Sequence, residues 1–341
     1  MKIQFLERGN PKLGSNRIYI NNLSSWLKPF FTKVVVSKEI KPDFDIFICS
    51  KFCDPKDLNV IRKLNSKAII GLIHPSDVNK FELKKTKLVD FFIVGSIEEK
   101  AYFEKYSKNI IRFPQIEDYK LKFKKHKPKK KIIIGYHGNY QNLVGSNQNY
   151  IKAIEKISLK YNIEFHIIYD LSLGKYSNKK INIKIFNWSE KNLIKFLSKI
   201  DIGVVPATSN FIFDKDYNQS NFILNYFKKF ASKYGSATDY LIQFKNKSNP
   251  GRSHLFHQAG IPVVAGFWPS HFEIMSDDSR GFLAHSESSW FNSLEKLCFS
   301  HMLRNNISKN AFTYYQKNYN KDYWVKKMFY FLQKLKNEKK N

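Results

Sequence analysis

Arginine is scarce in this sequence, although cations are not. Lys and Arg together number 58, yet Arg stands only at positions 8, 17, 62, 112, 252, 280 and 304. Arg is the side chain suited to bidentate contacts with phosphate and guanine. Its scarcity, with no recognisable nucleic-acid motif, argues against a dedicated nucleic-acid reader. Acidic residues are also few, 29 in all, which leaves a formal net charge of +29. Cysteine is scarcer still. Three in 341 residues exclude a disulfide scaffold. Cys49 and Cys53 stand four apart, but no second Cys or His pair has matching zinc-ligand spacing, so they read as small buried residues at a strand end. No run approaches the roughly 18 apolar residues of a membrane span. The start, MKIQFLERGN, has too short an apolar core for a signal peptide.

What is present is an ordinary folded composition. Hydrophobic residues make up 43% of the chain, which excludes disorder throughout. The length suggests two domains. The Lys excess comes with abundant Asn, Ile, Phe and Tyr. Two readings of it stay open: the coding bias of an AT-rich genome, or an electrostatic footprint for anionic membrane or nucleic acid.

Apolar runs alternate with amphipathic stretches from end to end. Strand-like runs are 3–6, 33–36, 45–49, 68–73, 91–94 and 110–113, with helix-like segments at 17–27, 55–64 and 98–106. Apolar runs without polar alternation suit parallel strands covered on both faces, and their alternation with helices suits a doubly wound sheet. The segment 120–131, KLKFKKHKPKKK, reads as an exposed basic linker. The pattern then restarts, with strands at 131–136, 164–169, 182–186, 201–205, 261–265 and 281–284. Helices follow at 149–159, 190–198, 221–232 and 253–258, and the tail is helical. The expected fold class is α/β, with two Rossmann-like doubly wound domains facing across a cleft. The expected bounds are 1–125, 126–310, and a helical 311–341 packing back toward the first domain. Strand ends and helix N-termini lining such a cleft favour an anionic ligand.

Several segments carry chemistry. In 245–265, KNKSNPGRSHLFHQAGIPVVA, Lys245, Lys247 and Arg252 surround a Pro-Gly turn that enters a short helix. Turn amides there, with Asn249, Ser253 and a charge-assisted Arg252 contact, would suit phosphate. Gly260 suits the C-terminal cap of that helix. His74 closes the run AIIGLIH at a strand end. Gly14, Ser15, Asn16 and Arg17 form a glycine-bearing loop ahead of a helix. His137 and Gly138 follow the first strand of the second half, and Pro206 ends a later one. His254, His257 and His271 lie close in sequence, but no Cys or carboxylate ligands stand at a convincing spacing, so no metal site is expected.

The order of these segments resembles the GT-B glycosyltransferases, in particular the large retaining family that uses nucleotide-sugar donors. The resemblance rests on Ala259-Gly260-Ile261-Pro262-Val263-Val264 after the short helix and on VDFFIVGSIEEKAYFEKY at 89–106. It is supported by NIIRFPQIE at 109–117, KIIIGYHG at 131–138, IDIGVVPA at 200–207 and RGFLAH at 280–285. It implies two Rossmann-like domains and transfer of a sugar from a nucleoside diphosphate sugar to an acceptor hydroxyl. No cofactor and no metal would be needed. His74 would act at the donor sugar as the catalytic residue. Lys245, Lys247, Asn249, Arg252, Ser253, His137, Gly138 and Pro206 would hold the donor and its phosphates, and the loop Gly14–Arg17 would face the acceptor. The expected partners are a nucleotide sugar and a glycan, lipid-linked or other hydroxyl acceptor. Peripheral contact with an anionic membrane at the cytoplasmic face is expected, and no specific nucleic acid. The sequence departs from the family at one place: the two glutamates eight apart in the donor segment are replaced by Lys247 and Leu255. A sugar-nucleotide epimerase on the same fold and a non-enzymatic basic binding protein are the alternatives.

Overall fold

The computed structural model of the protein describes residues 1–145, 148–206 and 249–339. The expected helix at 221–232, Lys245 and Lys247 lie outside the described residues.

The chain divides into two compact units. The first comprises Met1–Lys120, Asn246–His254 and Tyr314–Asn341; the second comprises Leu121–Lys245 and Leu255–Thr313. The first unit holds strands β1 (Lys2–Leu6), β2 (Lys33–Ser37), β3 (Ile46–Cys49), β4 (Ile69–Ile73), β5 (Phe91–Val94) and β6 (Ile110–Arg112). They form a parallel sheet in the order β2-β1-β3-β4-β5-β6. β4 and β5 are buried along their whole length because both sheet faces are covered. Alternate residues serve alternate faces. Ile69 and Ile73 join Ile48, Ile93 and Leu23 against Met328 and Leu332 of the last helix, Lys321–Glu338. Ile70 and Leu72 join Phe92, Leu58, Ile61 and Phe103 on the other face. Cys49 ends β3, and Cys49 and Cys53 are free and buried, as the sequence suggested.

The second unit repeats the plan with β7 (Ile132–His137), β8 (Ile163–Tyr169), β9 (Ile183–Asn187), β10 (Ile202–Val205), β11 (Val263–Gly266) and β12 (Phe282–Ala284). Their order is β12-β11-β10-β7-β8-β9, again parallel. Ile132, Ile134, Tyr136 and Phe165 pack with Ile154, Ile157, Leu294 and Leu297 from the helices Asn149–Lys160 and Glu287–Phe299. Among the described residues no helix is long and apolar enough to cross a membrane.

The helices begin where side chains can accept their free first-turn amides. Asp54, Asn79, Ser96, Ser189 and Asn320 each take an amide from the first turn of the helix that follows. The helix Lys80–Leu88 has no counterpart in the sequence reading. It is Lys-rich and shows little apolar periodicity, so its cap is its clearest local signal.

The expected exposed linker needs correction. Residues 121–131 have no regular secondary structure, and most of their lysines are exposed, but the segment is strapped to the second unit. The Lys124 amide donates to the Ala259 carbonyl at 3.0 Å. The His126 ring bonds the Gly260 carbonyl at 2.8 Å, and its backbone exchanges hydrogen bonds with the Asn305 side chain. Lys124 and Lys129 both pair with buried Asp201, at 3.0 and 2.7 Å. Burial alone would raise that carboxyl, but the two ammonium groups and the Ile133 amide outweigh it and hold it below its usual range. Gly260 has φ +68°, and a Cβ there would lie 2.8 Å from the Lys124 nitrogen, so the strap itself requires glycine.

Burial pushes His126 down to about 4, with Lys124 and Arg304 acting in the same direction. It pushes His257 down to about 3, helped by Arg280. Both rings stay neutral when folded, so their contribution is complete above the unfolded histidine value near 6.5 and is lost as pH falls toward 4. By pH 5 the loss is on the order of 2 kcal/mol for each ring. The thermal midpoint should fall steadily from pH 7 to pH 5. His126→Gln, which keeps a donor for the Gly260 carbonyl, should flatten that fall; an unchanged slope would refute the assignment.

Candidate functional site

In the first unit the site is built around His74, the residue after β4. Its φ is +47°, a left-handed conformation that costs a non-glycine residue about 1–3 kcal/mol unless its surroundings fix it. They do. The His74 amide donates to the Ile93 carbonyl at 2.8 Å. The ring Nδ1 lies 2.9 Å from both carboxylate oxygens of Glu99. Tyr19 packs edge-on against the ring, with centroids 4.7 Å apart, and anchors its hydroxyl on the Phe113 carbonyl at 2.9 Å. Burial and the nearby Glu99 carboxylate raise the Tyr19 phenol well above its usual value, so it stays protonated.

Glu99 is fully buried. It is the third residue of the helix Ile97–Phe103, whose N-cap is Ser96. Ser96 Oγ accepts the Glu99 amide at 3.2 Å. The Glu99 carboxylate does not reach back to complete a capping box. It accepts the Gly95 amide at 2.7 Å and faces His74 Nδ1 instead. A carboxylate at Nδ1 places a ring proton on that nitrogen, and in the neutral tautomer this pairing selects, Nε2 carries the lone pair. That Nε2 is buried and has no hydrogen-bond partner among the described residues, and only 9% of the side chain is exposed. A buried nitrogen left in this state can bond a hydroxyl that arrives.

Gly95 is where the site closes up. A Cβ built on it would lie 2.8 Å from the Tyr19 hydroxyl, 2.9 Å from His74 Cε1 and 3.6 Å from the Asn249 Cβ. The structure thus brings His74 and Asn249, far apart in sequence, to the same point. Asn249 Oδ1 accepts the Gly251 amide at 3.2 Å and so opens the helix Gly251–Gln258. A Cβ on Gly251 would lie 2.9 Å from that of Gln115. Arg252, half-buried, and Ser253, fully buried, complete the first turn. A helix start with an adjacent guanidinium suits an anion.

The loop Gly14–Arg17 is a helical turn, Gly14–Asn16, that runs into a π-helical stretch, Arg17–Asn22. Asn16 is a buried strut. Its amide donates to the Arg8 and Asn10 carbonyls at 2.7 and 3.1 Å, and its oxygen accepts from Ser50 at 2.8 Å. Arg17 pairs with Glu117. Gly14 faces open space, and Ser15 is half-buried beside it.

In the second unit His137 ends β7, nearly buried, with its ring 4.7 Å from that of Phe256. Gly138 follows with φ +149°, and its amide donates to the Ile168 carbonyl at 3.3 Å. Pro206 is buried just after β10. All three lie at the carboxyl edge of the second sheet. The three histidines considered for a metal have separate surroundings. His254 lies against Tyr319, with centroids 4.0 Å apart; His257 is buried; His271 bonds the Gly266 carbonyl at 2.8 Å. Among the described residues no group of three or more His, Cys, Asp or Glu could hold a metal ion.

Sequence reasoning did not find Tyr19, Gly95 or Gln115. Glu99 stands in sequence as a first-turn acid three residues after Ser96. Its Ser-x-x-Glu spacing was legible, but the turning of its carboxylate toward His74 was not.

No family model matches the chain, and no curated protein matches it by sequence. Solved structures do match in shape. Sucrose-phosphate synthase from Thermosynechococcus elongatus is 12% identical, with 98% of each chain covered and a TM-score of 0.66. HepE from Anabaena, solved in complex with UDP and glucose, is 11% identical, covering 98% of this chain and 100% of its own, with a TM-score of 0.65. A glycosyltransferase from Rickettsia africae is 11% identical, covering 99% and 98%, with a TM-score of 0.64. The chain has their fold, the GT-B architecture of two parallel α/β units.

Gly95→Ala should lower the urea midpoint by the equivalent of about 1–3 kcal/mol, as small-to-large changes in tight sites do. Glu99→Gln keeps the volume but offers one acceptor to two donors. It should cost a similar amount, roughly 1–3 kcal/mol, and should release the single tautomer of His74, read from its ring-nitrogen NMR shifts. An unchanged His74 spectrum in Glu99→Gln would show that the pair does not set the tautomer.

Proposed function

We propose that this chain is a glycosyltransferase that moves a sugar from a nucleoside diphosphate sugar to an acceptor hydroxyl. The observation that carries the reading is the buried Nε2 of His74, without a partner among the described residues, on a ring fixed by Glu99 beside Asn249 at the start of the helix Gly251–Gln258. The GT-B fold agrees with it, and HepE, which shares that fold, is a UDP-binding protein. Fold alone does not fix chemistry, so the site bears the weight of the proposal.

In the proposed reaction the acceptor oxygen bonds the anomeric carbon as the bond from that carbon to the diphosphate oxygen breaks. The acceptor proton passes to a donor phosphate oxygen, as in the retaining family that the sequence resembles. Negative charge grows on the leaving diphosphate. The first-turn amides, Arg252 and Lys247 would stabilise it more strongly than they do the ground state, which is what accelerates such a step. His74 Nε2 would accept a hydroxyl of the donor sugar and orient it. His137, Gly138 and Pro206 would line the nucleotide side, with Lys245 adding charge. Neither family glutamate takes part; Leu255, at one of their places, is buried and apolar. Retention and independence of metal belong to the same proposal, and the acceptor would be a glycan or a lipid-linked hydroxyl.

An epimerase on this fold would convert a nucleotide sugar with no acceptor present. Product analysis with the donor alone separates the two reactions.

A thermal-shift screen against UDP, GDP, ADP and their sugars tests the reading first. A ligand held at about 100 times its Kd should add roughly 2.7 kcal/mol of stability. Arg252→Ala should abolish the shift while the protein stays folded, whereas His74→Ala should keep the nucleotide shift and lose transfer. A flat screen with every nucleotide would sink the proposal.

A further inference from the structure

β6 ends the sheet of the first unit. Beside it lies a groove of about 560 Å³, a size within the roughly 300–1,000 Å³ of small-ligand sites. Three elements of the same unit wall it. Lys100 and Ala101 of the helix Ile97–Phe103, with Glu104 at its cap, stand on one face by their helical spacing. β6 supplies Ile110 and Arg112. The last helix, Lys321–Glu338, supplies Trp324, Lys327 and Phe331, which share a face for the same reason. The floor is apolar. Trp324 is buried, Ile110 and Phe331 are half-buried, and the Phe331 ring lies 5.5 Å from that of Phe91.

The rim is cationic. The Arg112 guanidinium carbon lies 5.7 Å from the centre of the Trp324 ring, and the Lys327 ammonium lies 4.7 Å from it. Arg112 also donates to the Tyr319 hydroxyl at 3.5 Å. The acid that lines the groove, Glu104, pairs with Lys100 at 3.4 Å. Both side chains are exposed, and such a pair is weak enough to exchange for another partner. Two like charges drawn to one indole repel each other, and an anion between them relieves that cost.

Two walls of this groove also hold His74. Glu99 precedes Lys100 in its helix and meets His74 Nδ1 at 2.9 Å. Phe113 follows Arg112, and its carbonyl anchors the Tyr19 hydroxyl that stands against the His74 ring. Burial raises the Tyr19 phenol most, and the charge of Arg112 pulls it back down, so the cation at the rim is felt at the site.

We propose that this groove is an effector site for a small phosphate monoester with an apolar or ring body, and that its occupancy alters the hold of Glu99 and Tyr19 on His74. The body lies on Trp324, Ile110 and Phe331. The doubly charged phosphate meets Arg112, which can bind it in bidentate fashion, and Lys327, which adds a point charge. An inorganic anion leaves the apolar floor unused, and a neutral ring leaves the cations unanswered. A ligand wedged between the two helices and β6 moves the helix that carries Glu99, and the contact chain to His74 is then continuous. Only the consequence for sugar transfer rests on the glycosyl-transfer reading.

The test is a titration of the full chain with phenyl phosphate, without nucleotide or acceptor, so that it is independent of activity. It is read by the NMR signals of the Trp324 indole, assigned by its loss in Trp324→Phe, and of the His74 ring. Trp324 Nε1 donates to the Asn318 carbonyl at 2.9 Å, so the indole is held in place and reports on the groove. Both signals should move along one saturating curve. Phenol and inorganic phosphate should each bind at least roughly tenfold more weakly. Lys327→Glu, and Ala101→Glu on the helix Ile97–Phe103, should weaken both responses by a similar factor at unchanged circular dichroism. Lys326→Glu, the same change of charge one residue away and outside the groove, should leave them unchanged. An unmoved Trp324 indole, phenol binding as tightly as phenyl phosphate, or an equal loss in Lys326→Glu would each overturn the proposal. So would a Trp324 response without one from His74. A His74 response that survives in Lys327→Glu after the Trp324 response is lost would place the ligand at His74 itself and would also overturn it.

Discussion

A carboxylate with no access to water must find donors inside the protein, and the site in the first unit is arranged around that need. Glu99 is such a group. Its two donors are the Gly95 amide and the His74 ring. Satisfying both pulls the residue after β4 into a left-handed backbone, which brings the imidazole back over β5. Gly95 must then lack a side chain, because His74 and Tyr19 occupy the space a Cβ would take. Asn249 closes on the same point and fixes where the next helix starts. One buried carboxylate thus goes together with a ring orientation, a left-handed backbone and a required glycine.

The cations divide by role. Some hold the fold. Lys124 and Lys129 neutralise Asp201, and Lys336 and Lys339 tie the last helix to Asp45 and Asp90. Glu164 is held down to about 2, first by His166 and then by Lys131, with Lys184 adding to it. Many other lysines are exposed, where isolated pairs contribute little. What the net charge left open at the level of composition becomes a matter of place. The Lys-rich segment at 120–131 is a strap on the second unit, while Lys100 and Lys327 stand at the rim of an apolar groove beside β6.

Much of the fold was legible in the sequence. Among the described residues the strands fall where apolar runs predict them, most plainly at the centre of each sheet, where a strand covered on both faces has no polar face to show. Amphipathic helices such as Pro55–Leu64 and Asn149–Lys160 were equally plain. Lys80–Leu88 was not, since its weak apolar stripe resembles a solvated loop. The strap differs from that expectation for a related reason: charge patterning reports the average exposure of a run, not the one buried histidine and one half-buried lysine within it.

The sequence by itself determined the alternation of strands and helices, the restart near residue 131, the glycine turns and the residues that end each strand. Those properties are local, set by side-chain period, caps and backbone freedom. It also pointed to His74, Asn249 and Arg252 as residues at element ends. Only the tertiary structure decided that His74 and Asn249 share one point, that Glu99 turns from its own helix to the imidazole, and that Tyr19 buttresses it. These outcomes depend on distances between residues remote in the chain. Burial, which chooses a partner for every polar group removed from water, exists only once the chain has folded.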